Sequence, residues 1–289
     1  MFTSPNMTQI PTTDLRDDFA MPRFGIGTWR MGERASAAQA EIAVISAAID
    51  RGVTLIDTAE MYGDGGAESL VGRAIEASSA VREKLYIVSK VYPHNASRKG
   101  SIAACERSLK RLGTDYLDCY LLHWPGEHPI AETVDAFERL KAQGKIRAWG
   151  VSNFDLEDMC ELVAAQSGNK VATNQVLYNL SRRGIEFSLL PWQRERGIST
   201  MAYSPIEQAQ LLESSKLKAI ASDIGATAAQ LAIAWLLTQP DVVVIPKTTH
   251  IARLEENLGA LDLKLDASTL ASLDAAFKAP RSRTPLAML

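Results

Sequence analysis

Short apolar runs rich in β-branched residues alternate along the chain with stretches whose apolar positions recur every three or four residues. The first pattern predicts strands, and the second predicts amphipathic helices. Two of these helices, at residues 101–112 and 130–143, are each followed by a glycine, Gly113 or Gly144, where a left-handed C-cap would lie. The predicted strands are residues 24–27, 54–57, 85–91, 116–123, 146–152, 172–176, 198–203 and 242–246.

Strands that alternate with helices indicate parallel pairing through right-handed crossovers, and eight such units fit one closed barrel. The chain has 289 residues, and such barrels typically have roughly 250. We therefore predict an α/β fold, a (β/α)8 TIM barrel, as a single domain over residues 1–289, with its core at about 20–278. Residues 280–289 are expected to form a loose tail. A doubly wound open sheet is the alternative.

Composition narrows the classes of partner and the compartment. Lys and Arg number 31 and Asp and Glu number 34, and this near-neutral balance argues against nucleic acid. No apolar run approaches the roughly 20 residues that a membrane span needs, and the polar start does not resemble a signal peptide. The three cysteines, Cys105, Cys119 and Cys160, form no CxxC pair, which is typical of a reducing cytoplasm. We expect a cytoplasmic monomer.

Polar and titratable residues close the predicted strands, where a barrel of this kind carries its chemistry. Asp57, Lys90 and His123 end three successive strands, and Tyr62 follows Asp57 by five residues. Adjacent strands lie about 4.8 Å apart, so these four side chains can converge on one mouth. A lysine ammonium beside a phenol lowers the phenol's pKa from about 10, which would make Tyr62 a general acid. Asp57 would supply the counter-charge, and His123 would orient a substrate carbonyl; taken singly, each residue also has a purely structural interpretation.

Five motifs carry a resemblance to a known family. They are DTAEMYG (57–63), LGTDYLDCYLLHWP (112–125), GKIRAWGVSNF (144–154), AYSP (202–205) and IPKT (245–248). In this order and at these separations they resemble the aldo-keto reductases. The segments YGDGGAE (62–68) and SKVYP (89–93) are most similar to those of the family's bacterial methylglyoxal-reductase-type members.

The resemblance implies an NADPH/NADP⁺ cofactor and a role for each matching residue. The catalytic tetrad would be Asp57, Tyr62, Lys90 and His123. Tyr203 would stack on the nicotinamide, and Ser152, Asn153 and Gln175 would contact its carboxamide. The other expected cofactor contacts are Gly27, Thr28, Trp29 and Asp57 near the nicotinamide, Ser204, Ile206 and Leu211 on the loop over the pyrophosphate, and Lys247, Thr248, Arg253, Glu256 and Asn257 at the adenosine end.

The adenosine end has a physical argument of its own. Lys247 and Thr248 close the last strand, and a helix is predicted to begin near Ile251, so its first amides face the same place. Helix N-termini favour phosphate, and the Arg253 fork can bind a phosphate through two hydrogen bonds. A phosphate site at this place favours NADP(H), which carries a 2′-phosphate, over NAD(H). A solvated basic pair is the alternative interpretation of Lys247 and Arg253.

Gly25 and Gly27 begin a GxG pattern, but Arg30 stands where a dinucleotide fingerprint needs its third glycine. We therefore exclude a Rossmann interpretation and expect the two glycines to let the backbone pass close to the nicotinamide. The four histidines lack metal-ligand spacing, so no metal is expected.

The resulting hypothesis is NADPH-dependent reduction of a small-molecule carbonyl substrate, such as an aldehyde, ketone or 2-oxoaldehyde. The substrate pocket would include Trp29, Tyr62, Tyr92, His123 and Trp124. The loop at 124–129 is short and little chain follows residue 277, so an open site for small carbonyl compounds is expected. Two other hypotheses remain: a nucleotide-binding redox sensor or partner-docking barrel with little turnover, and a barrel isomerase or hydrolase without nicotinamide.

Overall fold

An antiparallel hairpin precedes the barrel. The computed structural model describes residues 9–15, 19–78 and 81–289. Strands β1 (Thr12–Leu15) and β2 (Phe19–Pro22) pair with each other. Met21 is buried among side chains of the barrel interior, and the Thr13 hydroxyl donates to Asp241, which precedes the last strand, over 3.0 Å. The hairpin, which the sequence pattern did not predict, therefore covers the N-terminal end of the barrel.

Eight parallel strands follow in sequential order around one sheet. They are β3 (Gly25–Gly27), β4 (Leu55–Asp57), β5 (Tyr86–Val91), β6 (Leu117–Leu122), β7 (Ile146–Ser152), β8 (Thr173–Leu177), β9 (Ser199–Tyr203) and β10 (Val242–Val244). The first and last strands meet through a parallel bridge between Phe24 and Val244, and the Val244 N–H donates to the Arg23 carbonyl over 2.8 Å. These contacts close the sheet into the predicted (β/α)8 barrel and exclude the open-sheet alternative.

Ten α-helices surround the barrel or follow it in the described residues. They are α1 (Ala38–Asp50), α2 (Gly66–Ala77), α3 (Arg98–Leu112), α4 (Ile130–Ala142), α5 (Leu156–Ala164), α6 (Leu189–Glu195), α7 (Ser215–Asp223), α8 (Ala228–Thr238), α9 (Ile251–Leu258) and α10 (Ala267–Ala276). Helix α3 begins earlier than predicted because the Ser97 hydroxyl accepts from the Gly100 N–H and caps it. It ends at Gly113, whose φ of 65° is the predicted left-handed cap.

The apolar core has two layers. One fills the inside of the barrel and includes Leu55, Val88, Leu121 and Val243. The larger one lies between the strands and the surrounding helices, and α8, which is apolar nearly all round, buries most of its length there. The barrel is therefore a packed scaffold whose strand ends are held in fixed register.

The C-terminal segment differs from the expectation of a loose tail. Residues 280–289 form no helix or strand, but Arg283 pairs with Asp155 and Glu157, and Leu286 packs against the outer core. One charged and one apolar anchor thus hold this segment beside the C-terminal ends of the strands.

Among the residues that the structure describes, no single helix is long and apolar enough to cross a membrane; α7 and α8 meet that test only as a pair bent by 82°.

Candidate active site

Three of the predicted residues meet at one buried ammonium group. Lys90, on β5, is fully buried, and its Nζ donates to Asp57 Oδ2 over 2.9 Å, to the Thr58 carbonyl over 2.9 Å and to the Tyr62 hydroxyl over 3.1 Å. An ammonium has three protons, and these three acceptors match them. Because the Tyr62 oxygen accepts from Lys90, the phenol's own proton is left to point towards another acceptor.

Burial changes the expected acidity of Tyr62. Burial raises the pKa of its phenol above the ordinary value of 10, and the nearby Lys90 charge only opposes that rise. The prediction of a lowered pKa is therefore wrong in direction for this structure, although the lysine acts as expected. The phenol stays protonated at neutral pH, which is the form that a proton donor needs, and the ammonium can stabilise the phenolate left after transfer.

His123 completes the cluster as a neutral ring. It lies just beyond β6, with its ring centroid 5.6 Å from that of Tyr62 in an edge-to-face arrangement. Burial, together with the Lys90 charge, lowers the pKa of His123 well below its usual 6.5. Its Nδ1 is buried and has no hydrogen-bond partner among the described residues. A neutral imidazole carries a proton on one nitrogen and can donate it to a carbonyl oxygen.

The predicted nicotinamide contacts lie together across β7, β8 and β9. The Tyr203 hydroxyl donates to Asn153 Oδ1 over 2.9 Å, and Asn153 Nδ2 donates to the Ser152 hydroxyl over 3.2 Å. Gln175 has a further contact that the sequence did not predict, because its amide donates to Asp57 Oδ1 over 2.7 Å. It therefore orients the carboxylate that holds Lys90.

The loop after β9 is strained at several positions. Ser204, Glu207, Gln208 and Ala209 all have positive φ angles, of 49°, 49°, 51° and 75°. Residues other than glycine rarely adopt this region, and such strain concentrates at functional sites. The predicted residues Ser204, Ile206 and Leu211 lie on this loop, with Leu211 buried.

A buried carboxylate holds this strained loop in place. Glu207 is buried and accepts from Asn179 and from Arg182, each over 2.7 Å. No local sequence pattern marks Glu207, because its partners lie 25 or more residues away.

The predicted adenosine contacts lie around the end of β10 and the start of α9. Lys247 is exposed after β10, Thr248 is buried and accepts from the His250 N–H over 3.1 Å, and Arg253 is exposed in the first turn of α9. The first turn of α9 has no side-chain cap in the described chain. Glu256 is half-buried and Asn257 buried later in the same helix.

The glycines of β3 let this strand lie close to its two neighbours. A Cβ on Gly25 would lie 2.1 Å from Leu55 Cδ2, and one on Gly27 would lie 3.2 Å from the Ile245 carbonyl. Gly25 therefore allows β3 and β4 to approach each other, and the role of the two glycines beside a nicotinamide stays a prediction. The Thr28 hydroxyl donates to the Asp57 carbonyl over 2.9 Å, and Trp29 follows it with the Arg30 guanidinium over its ring.

Comparison with known proteins decides the family. The sequence profile of the Aldo/keto reductase family matches residues 23–278 of this chain. The chain belongs to the aldo-keto reductase family.

Relatives support this assignment over nearly the whole length of this aldo-keto reductase. It is 50% identical over 277 residues to the methylglyoxal reductase YeaE of Escherichia coli, covering 94% of this chain and 96% of that protein. It is 37% identical over 270 residues to the glyoxal reductase of Bacillus subtilis, with 93% and 94% covered. A crystal structure of a Klebsiella pneumoniae aldo/keto reductase with NADP and acetate superposes with a TM-score of 0.92 at 47% identity, covering 97% of this chain and 100% of that one.

Aromatic side chains form one wall of the mouth of this aldo-keto reductase. The rings of Tyr92 and Trp124 pack edge to face at 5.1 Å between centroids, and His123 lies 4.8 Å from Trp124. The structure thus groups three of the five predicted substrate-pocket residues with Tyr62, while Trp29 lies at the end of β3.

A cavity of about 370 Å³ lies outside this wall, under the C-terminal segment. The described residues that line it include Leu177, Arg183 and Leu286 but none of Asp57, Tyr62, Lys90 or His123. In the described parts of the chain, His, Cys, Asp and Glu side chains form no group of three that could hold a metal ion.

Proposed function

We propose that this protein reduces small aldehydes, ketones and 2-oxoaldehydes such as methylglyoxal to alcohols, with NADPH as the reductant. The observation that carries the proposal is the Lys90 ammonium between the Asp57 carboxylate and the Tyr62 phenol, at 2.9 and 3.1 Å. The names of two relatives, a methylglyoxal reductase and a glyoxal reductase, support the substrate class. The NADP in the Klebsiella structure supports the cofactor.

The residues present fit a nicotinamide cofactor. Ser152, Asn153 and Gln175 offer hydroxyl and amide groups beside the half-buried ring of Tyr203, which gives a polar edge and an aromatic face for a carboxamide-bearing ring. At the other end, exposed Lys247 and Arg253 flank the uncapped start of α9, where backbone amides and two cations favour a phosphate.

Each member of the tetrad has a separate task in this proposal. A bound reduced nicotinamide would supply the hydride that the carbonyl carbon receives. Neutral His123 donates a hydrogen bond to the carbonyl oxygen and fixes its direction, and Tyr62 gives that oxygen its proton. Lys90 stabilises the resulting phenolate across 3.1 Å, and Asp57, itself held by Gln175, keeps the ammonium charged and aimed.

The decisive experiment follows the oxidation of NADPH by the purified protein with methylglyoxal at about millimolar concentration, a usual upper range for KM. A panel of larger aldehydes and ketones, and NADH in place of NADPH, define specificity. We expect turnover with small carbonyl compounds and a preference for NADPH. Tight NADPH binding with no consumption by any carbonyl compound would refute reduction and favour the redox-sensor alternative. No NADPH binding at all would favour a barrel isomerase or hydrolase.

We further propose that the reaction takes place in the cytoplasm. Cys105 and Cys119 are buried, Cys160 is exposed, and all three are free thiols, which suits a reducing compartment. Fractionation of the producing cells with an antibody against the protein would test this location.

A further inference from the structure

Two buried glutamates lie on either side of Tyr62 along the chain. Glu60 is 8% exposed and Glu68 is fully buried. A buried carboxylate is costly unless it is paired and hydrogen-bonded, so both must be fixed by their partners. The partners connect the segment that carries Tyr62 to the strand that carries Lys90 and to helix α3.

Glu68 makes the connection behind the site. It lies in the first turn of α2, directly after the loop of Tyr62, and the Ala67 N–H donates to the Tyr62 carbonyl over 3.1 Å. One Glu68 oxygen accepts from the hydroxyl of Ser89, the neighbour of Lys90 on β5, over 2.5 Å. The other oxygen accepts from Arg111 Nε over 2.6 Å. The start of α2 is therefore tied to the strand of Lys90.

Glu60 makes the connection on the other side. One of its oxygens accepts from the Tyr92 N–H over 2.8 Å and from the Asn95 amide over 3.0 Å, which ties it to the loop after β5. The other oxygen accepts from Arg107 over 3.4 Å. Its own N–H donates to the Lys90 carbonyl over 3.3 Å.

One helix supplies both arginines. Arg107 and Arg111 are four residues apart on α3 and therefore lie one turn apart on the same face. Arg111 passes directly over Gly65, where a Cβ would lie 2.6 Å from the arginine's Cδ and Nε. Gly65 also has a φ of 84°, so this turn both needs glycine for its conformation and leaves room for the arginine.

We propose that Glu60 and Glu68, held by Arg107 and Arg111, are positioning residues that set the distance between the Tyr62 hydroxyl and the Lys90 ammonium. This inference rests on the proposed function, in which Tyr62 is the proton donor. A displacement of about 1 Å at a reacting group can reduce a rate by 10²-fold. Besides burial, the groups that shift the pKa of the Tyr62 phenol are Lys90, which lowers it, and Asp57, which raises it. Removing the Glu68 charge should therefore affect Tyr62 through its position.

The test compares Glu68→Gln and Arg111→Met with Lys110→Met, which removes an exposed cation next to Arg111 on the same helix. We expect kcat to fall about tenfold or more in the first two, with KM and NADPH affinity unchanged, and the control to match the wild type. Because Arg111 acts through Glu68, the double variant should be no slower than Glu68→Gln alone. Glu68→Asp, which keeps the charge, should recover part of kcat.

A second readout needs no turnover. The ultraviolet titration of Tyr62, isolated by subtracting the same variant carrying Tyr62→Phe, should move to higher pH in Glu68→Gln, because the phenol loses part of its contact with Lys90. If the wild type reduces no carbonyl compound, the proposed function fails while this titration still measures the positioning. A folded Glu68→Gln with wild-type kcat and an unmoved titration overturns the inference. If Glu68→Gln does not fold, Ser89→Ala and Arg111→Lys provide the same two readouts.

Discussion

The Lys90 ammonium has three protons and donates them to three acceptors, all of which belong to residues 57–62. The ammonium is thereby fixed in direction as well as charge, since none of its protons is left to turn towards another group. The Tyr62 oxygen uses a lone pair on Lys90, which leaves its hydroxyl proton for the substrate. At the scale of single residues, the site is built to hold one proton on the phenol and to tolerate the negative charge that follows its loss.

Removing the Tyr62 hydroxyl directly tests its role as the proton donor. Tyr62→Phe should lower kcat for carbonyl reduction by about 10²–10⁴-fold, the usual contribution of a general acid. NADPH affinity, measured by quenching of tryptophan fluorescence, should stay the same. Tyr116→Phe is the matched control, because it removes a hydroxyl that has no hydrogen-bond partner among the described residues and precedes β6 at the opposite end of the barrel, so kcat should stay near the wild-type value. An equal loss of rate and of cofactor affinity in Tyr62→Phe would contradict its role as the acid.

Arg253 allows a separate test of cofactor choice. Arg253→Ala should weaken NADPH binding by about 1.5–3 kcal/mol, the usual loss for a charge-assisted hydrogen bond, and leave NADH binding nearly unchanged. The dissociation constants of both cofactors, measured for the variant and for the wild type, give the result. Glu255→Gln, an exposed change on the same helix, is the control. A uniform weakening of both cofactors would place Arg253 away from the 2′-phosphate.

Among secondary-structure elements, the strands follow from the sequence because their apolar runs end in the polar residues that form the mouth. Asp57 and Ser152 are the last residues of β4 and β7, as predicted. The contacts that the sequence could not reveal join distant segments: Gln175 bonds Asp57 across 118 positions, and Arg283 bonds Glu157 across 126. No local periodicity encodes such pairs. The hydrogen bond from Gln175 to Asp57 and the anchoring of the C-terminal segment could therefore be seen only in the three-dimensional structure.

The direction of the Tyr62 pKa shift also depends on contacts that the sequence does not show. The lysine beside it could be inferred from two strand ends, but the opposing effect is burial, which depends on everything packed around the ring. The hairpin β1–β2 escaped prediction for a related reason. Strand β1 (TTDL) is mostly polar and strand β2 (FAMP) is a short apolar run without alternation, so neither has the pattern of a half-buried strand. The burial of Met21 among the side chains inside the barrel is visible only in the folded structure.

The close approach of β3 to β4 depends on Gly25, and a substitution there is a test at the level of strands. In Gly25→Ala the new Cβ would collide with Leu55 on β4, so β3 must move away from its neighbour. We expect a loss of about 1–3 kcal/mol in the free energy of unfolding, the usual cost of overpacking. Gly144→Ala, at a φ of 72° with nothing within 4 Å, separates backbone strain from collision and should cost less. Urea denaturation measures both, and equal stability of Gly25→Ala and the wild type would contradict the packing argument.

Over the whole molecule, the two ends of the barrel have different tasks. At the N-terminal end of the strands, Asp118 accepts from Arg82 and from the Ile87 N–H, and the Arg82 guanidinium stacks over Tyr116. At the opposite end, the buried charges of Asp57 and Lys90 surround the proton-transfer site. Stability and chemistry are therefore carried by separate groups, except where a buried catalytic residue titrates.

His123 is such an exception, and it makes the stability of the whole protein depend on pH. Its folded-state pKa is lowered well below 6.5, whereas in the unfolded chain it returns to about 6.5. Below that pH the unfolded chain binds a proton that the folded protein does not. The free energy of unfolding therefore has its full value above pH 6.5 and falls as the pH decreases, by up to about 1.4 kcal/mol per pH unit for this one group.

Urea midpoints measured between about pH 5 and 7 should show this slope in the wild type and in His250→Gln, whose ring is exposed. They should show a smaller slope in His123→Gln. A slope that persists unchanged in His123→Gln would mean that other groups bind the proton, and that the imidazole beside Lys90 is not held neutral by its burial.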